Sequence, residues 1–178
     1  DHGFITQKEI LSLLNNKKLS PIGKEIAGIN TRQLEDELSL HPLVDNVECF
    51  HTPGGRIAIE ITQRLPILRV MASNGDNYYI DEKGRIMPLP NNAANVAVVT
   101  GMVDRNFAIK ELYEFGLFLQ HHPLWKAQIQ QINVTPAKEL ELVPRVGEHI
   151  IFLGKPENYE QKFERLKKFY RKALNQIG

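Results

Sequence analysis

Apolar and polar positions along the chain change period several times, and each change marks an element. Ile10, Leu13 and Leu14 recur at helical spacing behind Thr6-Gln7-Lys8-Glu9. That tetrapeptide reads as a capping box, with Thr6 as N-cap, Glu9 reaching back to its amide, and Ile5 and Ile10 at the staple positions. Asn15-Asn16 ends this helix, Pro21 and Gly23 break the next segment, and residues 25–29 read as a short strand. Asn30, with Gln33 three residues into the turn, opens a second helix whose inward face is Leu34 and Leu38. Pro42 stops it near His41. Residues 44–50 then read as a strand, Pro53-Gly54-Gly55 as a turn, and 56–63 as a second strand. The second strand alternates, with Ile57, Ile59 and Ile61 on one face and Ala58, Glu60 and Thr62 on the other. It should bury one side and wet the other.

Pro66 cannot donate to a sheet ladder and is the expected domain hinge. Beyond it the pattern is β-rich. Residues 67–71 are strand-like, and Asn74-Gly75 signals a hairpin. Tyr78-Tyr79-Ile80 and Arg85-Ile86-Met87 flank the turn Asp81-Glu82-Lys83-Gly84, and 96–100 is a short buried-strand candidate. A third helix is predicted over 104–120, with Ala108, Leu112, Phe115 and Leu119 as its stripe and Gly116 as its weak point. Residues 129–134, 140–144 and 148–153 read as three antiparallel strands. A final helix starts near Asn158, with Gln161 at N3 and a stripe of Tyr159, Phe163, Leu166, Tyr170 and Leu174.

Composition narrows the function classes. The 178 residues carry a net charge of +1, so nothing electrostatic points to nucleic acid. No apolar run approaches the roughly 20 residues of a membrane span, and no signal peptide is visible. Cys49 is the sole cysteine, which excludes an intrachain disulfide. The charge that does cluster lies on the final helix. Lys162, Arg165, Lys167, Lys168, Arg171 and Lys172 oppose only Glu160 and Glu164. This is either a solvated face favoured by the helix dipole, or a docking face for an acidic partner or a membrane surface.

Chemistry has little to build on. Six histidines are present, but His121 and His122 are adjacent and point about 100° apart on a helix. His2, His41, His51 and His149 lie in unrelated contexts, and neither HExxH nor CxxC occurs. His51 would share a strand face with Cys49, yet the cysteine reads better as a small packed hydrophobe. There is no GxSxG, GxGxxG or phosphate loop. Glu35, Asp36 and Glu37 read as a solvated helix face. No cofactor, metal or catalytic residue is expected.

The stretch 29–71, INTRQLEDELSLHPLVDNVECFHTPGGRIAIEITQRLPILRVM, runs helix, His41-Pro42, strand, turn, strand, and exits through Gln63-Arg64-Leu65-Pro66. Tyr79-Ile80-Asp81-Glu82-Lys83-Gly84 and the Leu153-Gly154 step into the last helix follow in order. This succession resembles the FtsQ/DivIB family of bacterial cell-division proteins. The resemblance implies an α+β chain. A small POTRA module, two helices on a short mixed sheet, would span 1–66. A larger antiparallel β-rich domain with helices on one side would span 67–178.

Family members carry a cytoplasmic tail and one inner-membrane span ahead of the POTRA module, a strand before its first helix, and a strand after the final helix. Here the first of those strands is reduced to Gly3-Phe4-Ile5 at most, and the last is absent, so a trimmed piece of a periplasmic region is expected. The implied function is a non-enzymatic divisome scaffold that binds small coiled-coil partners of the FtsB and FtsL type, with the POTRA module as a second docking site. The partner would add a strand at the edge formed by Glu148, His149, Ile150, Ile151 and Phe152, with Arg165, Lys168 and Lys172 pairing its acids. Two rivals stand beside this reading. One is a POTRA-bearing chaperone or translocation protein that receives unfolded clients. The other is a small hydrolase, which would need a pocket near Arg64, Asp81 and His149.

Overall fold

The structure, a computed structural model, describes residues 4–177. His2 and Gly3 lie outside the described residues, as does the side chain of Leu174. The chain divides into two compact units, one of residues 1–65 with 87–93, the other of residues 66–86 with 94–178.

In the first unit, α1 (Gln7–Asn16) begins at the capping box. Glu9 N donates to Thr6 Oγ1 at 3.2 Å and Thr6 N donates to Glu9 Oε2 at 2.7 Å. The latter bond holds the Glu9 carboxyl below its ordinary pKa. Residues 25–29 do not form the expected strand. Gly28 N donates to Glu25 O and Ile29 N to Ile26 O, which closes a 3-10 turn at Ile26–Gly28. Residues 25–28 are exposed and have no neighbouring strand to pair with.

Next, α2 (Thr31–Ser39) is capped by Asn30, whose Oδ1 accepts from Gln33 N at 3.1 Å. Strands β1 (Val44–His51) and β2 (Ile57–Gln63) pair antiparallel. Leu14, Leu34, Leu38, Val47 and Cys49 form the core, with Ile57, Ile59 and Ile61 packed against it. Phe4 and Ile5 do not pair as a strand; both amides donate to Gln63 Oε1, at 2.6 and 3.2 Å.

The second unit is built on a sheet ordered β5-β4-β3-β6-β7-β8-β9. Its strands are β3 (Pro66–Ala72), β4 (Asn77–Asp81), β5 (Ile86–Met87), β6 (Ala97–Gly101), β7 (Ile129–Val134), β8 (Leu140–Pro144) and β9 (Ile151–Gly154). Pro66 opens β3. The α+β class stands, but the sheet is mixed where an antiparallel one was expected, because β6 runs parallel to both β3 and β7. The helices between β6 and β7 carry the chain back to the starting end, which makes the two strands parallel.

Those helices are α3 (Arg105–Phe107), a π turn at Ala108–Leu112, α4 (Tyr113–His121) and α5 (Pro123–Gln128). The expected stripe of Ala108, Leu112, Phe115 and Leu119 is buried despite the π turn. At Gly116 the helix lies tight against the sheet, since a Cβ there would lie 2.8 Å from Leu68 Cδ1. The last helix, α6 (Tyr159–Ile177), adds Phe163 to an aromatic cluster with Phe115, Phe118 and Trp125. Asn158 stands at the expected N-cap position, directly before Tyr159. It sits at φ 51°, and its carbonyl accepts from Lys162 N.

The helices cover one face of the sheet, where Val70, Val99, Ile132 and Leu142 line up in register and share one core with Phe115 and Phe163. The other face carries a polar row. Gln131 Nε2 donates to Thr100 Oγ1, and Asn133 Nδ2 donates to Glu141 Oε2, both at 2.9 Å. Among the described residues Asp81 is the buried charge of this unit. It accepts from the amides of Lys83 and Arg85 and from Arg85 Nε, each at 2.9 Å, and so locks the β4–β5 turn.

Candidate partner-docking surface

The sheet order leaves β5 and β9 at its margins. β5 is two residues long and runs into Pro88, which has no amide to offer a further strand. Among the described residues β9 pairs only with β8, so its other side presents backbone donors and acceptors. The strand is shorter than expected. Glu148, His149 and Ile150 precede it in an exposed loop, and pairing starts at Ile151. The cause lies at Gly147, whose φ of +100° only glycine adopts readily, and where a Cβ would lie 2.7 Å from His149 Nδ1. The ring of His149 in turn bonds the Tyr170 hydroxyl on α6. Burial pushes the pKa of that hydroxyl up.

Ile151 and Phe152 part company. Ile151 pairs with Leu142 and packs against the core, whereas Phe152 pairs with Glu141 on the helix-free face and is 63% exposed. Ile150 is 66% exposed. Gly154, at φ +77°, ends the strand, and Lys162 Nζ then donates to Lys155 O at 3.0 Å, tying α6 to the loop after β9.

The cations of the expected site stand on α6. Arg165, Lys168 and Lys172 are exposed and lie within about 40° of the direction opposite Phe163 at 100° per residue. Residues 148–152 and these cations therefore occupy neighbouring elements, with no bond between the two groups among the described residues.

Residues 65–178 match the family described as FtsQ/DivIB, C-terminal related, and residues 1–62 match a POTRA-like domain. The chain belongs to the FtsQ/DivIB family. That family is one of non-enzymatic cell-division scaffolds, membrane-anchored with a periplasmic domain. A comparison with curated proteins gives no match. Among the described residues no helix is long and apolar enough to cross a membrane.

Placed against the FtsQ/DivIB assignment, the residues weighed for hydrolysis are otherwise engaged. Asp81 is consumed by the β4–β5 turn, while His149 precedes β9, five strand positions away in the sheet. At about 4.8 Å per strand that is roughly 24 Å. Arg64 donates to Pro42 O at 2.9 Å within the first unit. Cys49 is buried, and its thiol is pushed up to about 11, first by burial and then by the charge of Glu35. Among the described residues no three His, Cys, Asp or Glu side chains gather as a metal ion would need.

Sequence reasoning missed one feature beside this surface. Leu124, Trp125, Gln128, Val146, Lys167, Tyr170 and Arg171 line an apolar groove of about 470 Å³. The signal for it was the Leu124-Trp125 pair directly after Pro123, at the start of a short helix.

Proposed function

We propose that this chain is the extracytoplasmic part of a divisome scaffold that links early and late division proteins by binding small coiled-coil partners of the FtsB and FtsL type. A strand of the partner adds to the free side of β9, and Ile150 and Phe152 supply apolar contacts for register. Arg165, Lys168 and Lys172 pair with acids on the partner. The POTRA-like unit offers a second site for other division proteins. The full protein is held in the inner membrane by a span ahead of this region, with the present residues in the periplasm.

The observation that carries this reading is the β9 margin, paired on one side, with Phe152 63% exposed beside it. The exposed ring adds an apolar contact on the helix-free face next to the unpaired edge. The test is calorimetric binding of the FtsB-like and FtsL-like ectodomains from the same genome to the native chain and to two variants. Phe152→Asp should weaken binding at least tenfold with an unchanged melting curve. Arg165→Glu with Lys168→Glu should weaken it less, and more so at low salt. Equal binding by all three folded proteins would rule out the β9 site.

A further inference from the structure

The groove beside Trp125 is a second candidate surface, built from different residues and independent of the β9 reading. Its floor is Trp125, 5% exposed, with Tyr170 beside it, and its lips are Leu124 and Val146, 49% and 69% exposed. α5, the loop after β8 and α6 each supply a wall, and the loop is anchored by Arg145 N donating to Gln128 O at 2.6 Å. The walls are pre-formed rather than made by one mobile element. Lys167 and Arg171, one helical turn apart, stand on the α6 side. Among the described residues neither makes an ion pair, and no acidic side chain lines the groove.

We infer that this groove takes an acidic polypeptide segment carrying one bulky apolar side chain. The size and lining suit a single large side chain on the indole, since pockets of this kind are mostly apolar with a few fixed polar groups. The two cations then face carboxylates on either side of that anchor. A neutral apolar ligand would leave both charges beside a dry contact, and a cationic one would be repelled. Trp125, Tyr170 and Arg171 are also of the residue types enriched at binding hot spots.

Trp125 is the chain's sole tryptophan and reports directly on the groove. The probe is the acetylated, amidated peptide Glu-Glu-Phe-Glu-Glu, titrated at 150 mM salt and followed by indole fluorescence and by amide chemical shifts. The expected result is a saturable change with shifts at Leu124, Val146 and Lys167. Lys167→Glu with Arg171→Glu should raise the midpoint at least tenfold. Arg165→Glu with Lys168→Glu, on the outward face of α6, should change it less than threefold. Thermal melts of both variants verify folding, and Val146→Ser, at an exposed position, gives a third test of the apolar lip. The inference is overturned if the peptide produces no groove shifts up to 5 mM. It is equally overturned if Lys-Lys-Phe-Lys-Lys binds as well, or if oleate or phosphatidylglycerol vesicles occupy the groove when the peptide does not.

Discussion

Two strand edges of this protein are handled in opposite ways. At β1 the amide of Cys49 donates to Glu35 Oε1 at 2.7 Å, so a side chain from α2 takes a backbone group that another strand would need. At β9 no side chain does this among the described residues, and an exposed Phe152 lies alongside. A carboxylate at an edge both satisfies the donor and repels an incoming carbonyl. The protein therefore closes one edge and leaves another available, and availability at β9 is a property of the native fold. The β5 margin is a third case, closed by brevity and by Pro88.

The contrast can be broken from behind. Phe163 is 1% exposed and joins α6 to the helix-covered face of the sheet, so Phe163→Ala should cost about 3–5 kcal/mol. Thermal melting would show the loss, and β9 should lose its backing with it. At the opposite margin, Asp81→Ala removes the acceptor of the Lys83 and Arg85 amides and of Arg85 Nε, a cost of about 1–3 kcal/mol by chemical denaturation.

Opening the closed edge has a smaller effect on stability. Glu35→Ala should cost about 1 kcal/mol and free the Cys49 amide. Sedimentation should then detect stronger concentration-dependent association than in the native chain. The thiol beside that amide gives a pH signature. With its pKa raised from 9.0 to about 11, the unfolded chain ionises first, so the neutral thiol's contribution is intact below pH 9. It is lost as the pH rises from 9 through 11. Denaturant midpoints across that window should fall, and fall less in Cys49→Ala. Closing the open edge should be the mildest change of all. Phe152→Asp, at an exposed position, should leave stability within about 0.5 kcal/mol while removing partner binding.

Much of the first unit was legible in the chain because its signals are local. Thr6 with Glu9 and Asn30 with Gln33 set both helix starts through side chains three residues apart. The alternation of Ile57, Ile59 and Ile61 set the buried face of β2. What was not legible depends on distant neighbours. Residues 25–29 have strand-like composition but no partner to pair with, so they curl. The direction of β6 follows from the helices after it, because a strand-helix-strand order returns the chain to the same end of the sheet. The grouping of 87–93 with the first unit has no local signal beyond its two prolines.

The candidate site divides the same way. The Leu153-Gly154 stop and the cations of α6 were visible as motifs. The start of β9 was not, because alternation through 148–150 looks like a strand until the backbone at Gly147 turns it away. The Trp125 groove was hidden because three separate segments build it.

The most direct test of the central claim is amide hydrogen exchange on the native chain, alone and saturated with the FtsB-like ectodomain. If the partner adds a strand at β9, the amides within Ile151–Gly154 that face away from β8 should be poorly protected alone and gain at least tenfold protection in the complex, while β1 and β5 stay unchanged. Saturated binding with protection gained at β1 or β2, and none at β9, would contradict the account.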